Sequence, residues 1–182
     1  MSPDQAWTIL NDAELICDAT AVSSAIGRLG ESISGELSTR NPLVLVVMRG
    51  GVFFAGQLLP LLRFPLELDY VHASRYGHEL SGREVKWKAF PPEAVKGRCV
   101  LVLDDILDAG DTLAAIRRHV LDSGADCCYV AVLTEKVTGL KKPIRPDFVG
   151  LTLPNRYVFG CGLDVSGAWR NLPEIYALKE PA

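Results

Sequence analysis

The stretch VLVLDDILDAGDTL, residues 100–113, decides the fold because it joins a hydrophobic strand to a helix through an acidic turn. Apolar residues lead directly into Asp104 and Asp105, and the segment DAGDT follows at residues 108–112. A continuous apolar run is typical of a parallel strand that is covered on both faces. Ligands of open α/β sheets bind beyond the carboxyl ends of such strands, so this turn is the first candidate for a binding site.

On both sides of this stretch, apolar runs alternate with helical patterns. Helical spacing of apolar residues predicts a helix over residues 21–37, and PLVLVVM predicts a strand over 42–48. The same signals predict two more helices, over 52–62 and from 113 to the stop at Gly124, and three more strands, over 66–73, 99–104 and 127–133. This alternation predicts an α/β fold with an open, mainly parallel sheet flanked by helices. From residue 146 onward the alternation stops, and short β-like pieces predict a small cap.

Composition limits the classes of protein to consider. The chain has 182 residues, of which 48% are hydrophobic, so we expect one domain over residues 1–182 with a full core. A net charge of −3 argues against nucleic-acid or membrane partners, and any phosphate site must be local. The chain begins with polar residues, contains no long apolar segment, and scatters its five cysteines. We therefore expect a cytoplasmic protein with reduced thiols.

The acidic turn combines two kinds of chemistry. A loop that enters a helix presents free N–H groups, and with Gly110 and Thr112 this half of the stretch suits a phosphate. The carboxylates of Asp104 and Asp105 would repel a phosphate but can hold a sugar diol, directly or through Mg²⁺. A further carboxylate, Asp108, can act as a base. The alternative is that Asp108 or Asp111 only caps the helix, and for Asp111 we favour a surface or capping role.

The complete stretch resembles the phosphoribosyl pyrophosphate (PRPP) motif of the type I phosphoribosyltransferases. The resemblance extends over about residues 13–178 and implies the fold of that family, with a core at about 21–145 and a C-terminal hood built from about 13–18 and 146–182. It implies that Asp104 and Asp105 hold the ribose hydroxyls and Mg²⁺, with Asp108 as general base. It also implies a 5′-phosphate loop of Asp108, Ala109, Gly110, Asp111 and Thr112.

Two further segments resemble those of the hypoxanthine-guanine phosphoribosyltransferases. VVMRGGVFFAGQLL, residues 46–59, resembles their pyrophosphate loop, which implies that Arg49, Gly50 and Gly51 contact the diphosphate after a Met48–Arg49 peptide that can be cis. Taken alone, a tight glycine turn explains this segment equally well. ASRYG, residues 73–77, resembles the start of their mobile loop, and we expect residues 74–85 to form a loop that closes over the site. The loop residues matched to the family are Ser74, Arg75, Tyr76 and Gly77.

The resemblance also supplies roles for the C-terminal half. Lys136 matches a lysine that donates to the purine 6-oxo group, Tyr157 an aromatic that stacks on the purine, and Val158 a residue whose backbone meets the base edge. Asp164 matches a metal-linked carboxylate beside the purine and pyrophosphate, and Arg170 matches an arginine that binds pyrophosphate. Each has a plainer alternative when taken alone, such as a solvated lysine, a core aromatic, a turn aspartate or a surface arginine.

The function implied is purine salvage, in which PRPP and a 6-oxopurine give a nucleoside monophosphate and pyrophosphate. Three positions depart from the residues usual in the family. Asp104 replaces a Glu, Ala109 replaces a Thr or Ser, and Arg75 replaces a Ser. A regulator that senses PRPP or nucleotides remains an alternative, as does a phosphoribosyltransferase for xanthine or uracil. The family is commonly dimeric or tetrameric, so we expect a homodimer or homotetramer. The sequence does not set the preference among hypoxanthine, guanine and xanthine.

Overall fold

The computed structural model describes residues 1–75 and 85–179 of the chain. The α-helices in this part are α1 Pro3–Asp12, α2 Ala19–Leu37, α3 Gly51–Leu58 and α4 Asp111–Asp122. The strands are β1 Glu14–Cys17, β2 Leu43–Val47, β3 Glu67–Arg75, β4 Val85–Ala89, β5 Cys99–Leu107, β6 Cys127–Lys136, β7 Phe148–Leu153, β8 Val158–Phe159 and β9 Ile175–Ala177.

The large sheet has six strands in the order β4-β3-β2-β5-β6-β7. All neighbours pair in parallel except β4, which lies antiparallel to β3 at one edge. Every residue of β2 is buried, as expected for an apolar run covered on both faces. The predicted open, mainly parallel sheet is therefore confirmed.

Helices cover both faces of this sheet and divide the core into two layers. On one face α2 and α3 contribute Ile26, Ile33, Phe54 and Leu58 to a cluster that includes Leu101. On the other face α4 contributes a stripe of three buried residues, Leu113, Ile116 and Val120. Helix α4 ends at Asp122, and Gly124 follows at φ +91°, a conformation that favours glycine after a helix end.

A small second sheet joins the two ends of the chain, in the order β1-β9-β8 with antiparallel pairing. It lies within the segments assigned to the hood. The assignment of Phe148–Leu153 to the hood is wrong, because β7 pairs in parallel with β6 in the large sheet. The connection over residues 137–147 contains no helix, and this edge strand buries only Leu153. No helical pattern therefore precedes β7 and no continuous apolar run lies within it, so the sequence did not indicate a strand of the large sheet.

Several predicted boundaries also need correction. Strand β5 was expected to end at Asp104 but continues to Leu107. The expected loop over 74–85 is too long at both ends, because Ser74 and Arg75 lie in β3 and Val85 begins β4, the two strands pairing there. Residues 76–84, which include Tyr76 and Gly77, lie outside the described residues.

Helix α1 was not predicted at all. Its signal is nevertheless present, because Ser2 and Gln5 form a reciprocal capping box around Pro3 at the first helical position. Over residues 1–75 and 85–179, no helix has the length and apolar character needed to span a membrane.

Candidate active site

The acidic pair lies inside β5 yet still at the carboxyl edge of the sheet. On one side, pairing with β2 ends at Leu103, so Asp104 and Asp105 have no pairing partner in that strand. On the other side, pairing with β6 continues to Leu107. Pairing with β6 keeps Asp104 and Asp105 in strand geometry, while the end of pairing with β2 leaves space beside their carboxylates.

Both carboxylates are buried, with 8% exposure for Asp104 and 7% for Asp105. Burial, and then repulsion from Asp105, raises the pKa of Asp104 well above its usual value. Burial also raises the pKa of Asp105, although hydrogen bonding from Asp104 and the charge of Arg170 act in the opposite direction. Two adjacent buried acids favour a cationic or hydroxyl-bearing partner, because either one would stabilise the charged form.

The predicted pyrophosphate loop packs directly against this pair. The Met48–Arg49 peptide is cis, as the resemblance implied. A Cβ atom on Gly50 would lie only 1.9 Å from Oδ2 of Asp105, so the loop backbone reaches the carboxylate only because residue 50 is glycine. From the opposite side, a Cβ on Gly162 would lie 2.2 Å from the Gly50 carbonyl oxygen. The hood, the loop and the acidic pair are therefore in close contact.

The predicted phosphate loop ends at the start of α4. Gly110, at φ +89°, is the N-cap residue and provides no side-chain cap, so the first N–H groups of the helix face the loop. The capping role considered for Asp111 is wrong, because Asp111 is the first helical residue. An acidic residue in the first turn is still favourable with the helix dipole.

These segments line one cleft of about 340 Å³. Its lining includes predicted PRPP residues from three regions of the chain. The glycine loop contributes Arg49 and Gly50, and the hood contributes Arg170. The end of β5 and the phosphate loop contribute Asp104, Asp105 and residues 108–112. A concave site that joins donors and carboxylates from separate elements is typical of a small-molecule site.

Arg170 connects the hood to the acidic pair. Its guanidinium donates to the Gly162 carbonyl and to the Asp164 carboxylate, and Nη1 lies 3.9 Å from Oδ2 of Asp105. Asp164 also accepts a hydrogen bond of 2.6 Å from the Gly167 N–H, which is the turn role considered for it. Within the described ranges, no three acidic, histidine or cysteine side chains form a group that could hold a metal ion. The predicted metal set of Asp104, Asp105 and Asp164 is therefore not brought together, and Asp164 instead pairs with Arg170.

Of the predicted purine residues, Lys136 lies beside the phosphate loop and Tyr157 contacts the hood. The Nζ atom of Lys136 is 2.9 Å from Oδ2 of Asp108. The Lys136 side chain is only 12% exposed, which excludes the solvated-lysine alternative, whereas Asp108 is 52% exposed. Tyr157 is 54% exposed, so it is not a core aromatic, and its hydroxyl donates to the Asp164 carbonyl at 3.2 Å. Val158 begins β8 and is buried.

The sequence reasoning missed two contacts next to the site. Trp7 of α1 packs edge-on against Trp169, the neighbour of Arg170, with ring centroids 5.0 Å apart. The indole N–H of Trp169 donates to the Ala6 carbonyl at 3.0 Å. The second contact is made by Lys142, whose ammonium bonds to the ends of β5 and β6. The capping box could have revealed α1, whereas nothing in the sequence distinguishes Lys142 from its neighbour Lys141.

Comparison with known proteins agrees with this geometry. The family model for the phosphoribosyl transferase domain matches residues 13–166. The hypoxanthine-guanine phosphoribosyltransferase of Lactococcus lactis subsp. lactis (strain IL1403) is 40% identical over 83% of this chain and 82% of its own length. The enzyme of the same name from Bacillus subtilis (strain 168) is 33% identical over 87% of this chain and 88% of its own length.

A solved structure extends the agreement to three dimensions. A hypoxanthine phosphoribosyltransferase from Staphylococcus aureus superposes with a TM-score of 0.86 at 27% identity, covering 94% of this chain and 95% of its own. Residues 13–166, which the family model matches, contain the acidic pair, the glycine loop and the phosphate loop. This chain therefore belongs to the phosphoribosyltransferase family, among the relatives of the hypoxanthine-guanine phosphoribosyltransferases.

Proposed function

We propose that this protein transfers the 5-phosphoribosyl group from PRPP to a 6-oxopurine, hypoxanthine or guanine, giving IMP or GMP and pyrophosphate. The observation that carries this proposal is the cleft of about 340 Å³ in which loop glycines, acidic pair, helix N-terminus and Arg170 meet. Each part suits one portion of PRPP, and Lys136 pairs with Asp108 in the lining of this cleft.

The PRPP roles follow from charge and hydrogen-bonding capacity. The N–H groups at the start of α4, with the Thr112 hydroxyl, would bind the 5′-phosphate. Ala109 removes one hydroxyl donor from that loop but no backbone N–H. Arg49, Arg170 and the N–H groups of Gly50 and Gly51 would bind the pyrophosphate and stabilise the charge that develops on it as the C1′–O bond breaks.

The acidic pair fits a bound Mg²⁺ ion. Asp104 and Asp105 are adjacent and buried, and both pKa values are raised, so a divalent cation would stabilise their ionised form. Mg²⁺ in such sites uses one or two carboxylates and takes its other ligands from water and substrate. When bound, the ion would neutralise the leaving pyrophosphate. Asp164 would act on this site through Arg170.

The purine roles rest on the pair of Lys136 and Asp108. N7 and O6 are neighbours on one edge of a 6-oxopurine. An ammonium and a carboxylate 2.9 Å apart offer a donor for O6 and an acceptor for a proton on N7. Asp108 would therefore take the N7 proton as general base while Lys136 orients the ring. The exposed ring of Tyr157 would stack on the purine, and the backbone of Val158 would meet its edge.

An assay of pyrophosphate release tests the proposal and its alternatives. Purified protein with PRPP and Mg²⁺ should release pyrophosphate with hypoxanthine or guanine, and much less with adenine or uracil. The rate with xanthine will establish the range of bases. Binding of PRPP without turnover of any base would instead support the regulator that senses PRPP.

Other expectations extend this proposal. The five cysteines are all free thiols, which supports a reducing compartment such as the cytoplasm. Val52, Leu68 and Tyr70 are 50%, 57% and 49% exposed beside one apolar groove, which supports a homodimer or homotetramer. Sedimentation equilibrium would check the oligomeric state. The ligands we propose are small molecules, PRPP and the purine base.

A further inference from the structure

Lys142 lies in the connection between β6 and β7, and its ammonium is enclosed by acceptors. The side chain is only 11% exposed. Nζ donates to the Leu107 carbonyl at 3.2 Å, to the Glu135 carboxylate at 3.0 Å and to the Lys136 carbonyl at 2.6 Å. An ammonium has three hydrogens, so each has an acceptor.

The acceptors belong to the two strands that carry the purine residues. Leu107 directly precedes Asp108, and Lys136 is itself the predicted purine ligand. The β5–β6 ladder ends at the pair Leu107 and Glu135. Lys142 therefore bridges the two strands at the point where their backbone pairing stops, next to the contact of 2.9 Å between Lys136 and Asp108.

Packing of the next two residues fixes this bridge independently. A Cβ atom on Gly110 would lie 3.4 Å from Cδ of Pro143 and 3.2 Å from Cγ2 of Ile144. Ile144 also packs against the core cluster under α4. The segment that carries Lys142 is therefore anchored against the phosphate loop, so the ammonium has little freedom to leave its acceptors.

We propose that Lys142 is a positioning residue for the base-binding end of the site, because it sets the distance between Lys136 and Asp108. This inference rests on the proposed purine phosphoribosyltransferase activity. Lys142 contacts the two strand ends and not the predicted substrate groups. Its removal should let the strand ends separate, so that donor and acceptor no longer match O6 and N7 of one purine together. Misplacement of reacting groups by about 1 Å can cost ~10²-fold in rate.

A lysine outside the site provides a matched control. Lys96 is exposed just before β5, so Lys96→Met makes the same chemical change at the opposite edge of the sheet. For Lys142→Met we expect kcat/KM for guanine to fall by about tenfold or more, with PRPP affinity unchanged by calorimetry. The preference for guanine over adenine should fall as well, since that ratio depends on the placement of Lys136. Lys96→Met should leave all three quantities unchanged.

Two further variants separate positioning from general stability. In a Lys136→Ala background, Lys142→Met should lower kcat/KM far less than it does in the unmodified enzyme, because residues that act through one another are not additive. Glu135→Gln keeps the fold and weakens only one acceptor, so it should shift the guanine-to-adenine ratio in the same direction by a smaller factor. If Lys142→Met does not fold, the guanine-to-adenine ratio of Glu135→Gln decides whether the Lys142 bridge positions Lys136.

The outcomes are distinct. Equal kinetics of Lys142→Met and Lys96→Met, or additive losses in the Lys136→Ala background, would overturn the positioning role while leaving the enzymatic activity intact. An unchanged ratio in Glu135→Gln when Lys142→Met is unfolded would also overturn it. Absence of pyrophosphate release from the unmodified protein with every base would instead overturn the proposed function itself.

Discussion

The Nζ atom of Lys136 lies 2.9 Å from Oδ2 of Asp108, although 28 positions separate the two residues in the chain. Lys136 ends β6, and Asp108 directly follows β5. Parallel pairing of the two strands brings their carboxyl ends to one edge of the sheet, which is where ligands bind in such folds. The donor and the acceptor predicted to contact the purine thus lie side by side.

Asp108→Asn should lower kcat far more than it weakens PRPP binding. The amide keeps the shape of the carboxylate and leaves the α4 N-terminus intact, but it cannot take a proton from N7. Loss of a general base typically costs ~10²–10⁴-fold. Steady-state kinetics with guanine, together with PRPP titration calorimetry, measures both quantities.

Asp122→Asn is a suitable control, because Asp122 is exposed at the opposite end of the same helix. It should leave kcat unchanged. A near-normal kcat in Asp108→Asn would rule out the general-base role and leave Asp108 as the ion-pair partner of Lys136.

Lys136 should make the unmodified enzyme discriminate strongly against adenine. In the proposed role its ammonium would donate one N–H to the 6-oxo group while another N–H stays bonded to Asp108, whereas adenine presents an amino group and would leave the first N–H without an acceptor on the base. Sites built around such a partner reject analogues that lack it by ~10⁴-fold or more. We expect this difference in kcat/KM between guanine and adenine, and a large loss on 6-oxopurines in Lys136→Ala.

Lys96 supplies the comparison, since it is exposed and close to the start of β5, at the opposite edge of the sheet. Lys96→Ala should retain both the activity and the selectivity. Comparable kcat/KM for adenine and guanine in the unmodified enzyme would refute the role of Lys136 and reopen the choice of base.

Replacing both acids, as Asp104→Asn/Asp105→Asn, should impair PRPP binding and remove its dependence on Mg²⁺. Diol and metal ligation need carboxylate charge, and the amides preserve volume in this buried position. Calorimetry with and without Mg²⁺ measures the effect. Asp126→Asn, an exposed change just before β6, should bind PRPP normally. Unchanged PRPP affinity in the double variant would make the pair structural.

The raised pKa of Asp105 also predicts how stability of the ligand-free protein depends on pH. The folded state holds this proton more tightly than the unfolded chain, so stability falls as pH rises from the ordinary Asp value of 3.8 through the raised pKa. Asp105→Asn should remove part of that fall and raise Tm at neutral pH. Thermal unfolding of both proteins from about pH 4 to about pH 8 measures this difference in Tm. Parallel curves for the two proteins would contradict it.

The sequence was sufficient for features that are local. The apolar spacing of α2 and the run of β2 predicted elements that the structure contains almost unchanged, and the acidic pair was recognisable because its members are adjacent. The assignment of Arg170 to the pyrophosphate came only from the resemblance, and its position beside Asp105, 65 residues away in the chain, was not predicted. A contact between residues so far apart in the chain depends on how the small sheet closes, and no periodic pattern of residues predicts it.

The errors also have physical causes. Strand β7 was assigned to the hood because an edge strand that buries only one residue lacks the apolar run of a central strand. The end of β5 was placed too early because acidic residues are rare inside buried strands, yet pairing with β6 keeps Asp104 and Asp105 in the sheet. Lys142 was overlooked because two of its three acceptors are backbone carbonyls, which leave no mark in the side-chain pattern.

Gly50→Ala should damage both stability and PRPP binding through a single added methyl group. Its Cβ would lie 1.9 Å from Oδ2 of Asp105, and Gly162 presses on the Gly50 carbonyl from the other side, so neither the loop nor the acid can yield easily. Overpacking of this kind costs on the order of 1–3 kcal/mol, and the displaced carboxylate should raise the Kd for PRPP. Gly27→Ala is the matched control, because a Cβ there meets nothing within 4 Å on helix α2 and should stabilise the fold by about 0.5–1 kcal/mol. Thermal unfolding and calorimetry measure the two effects. If Gly50→Ala bound PRPP as tightly as Gly27→Ala does, the contact between this loop and Asp105 would have no part in forming the site.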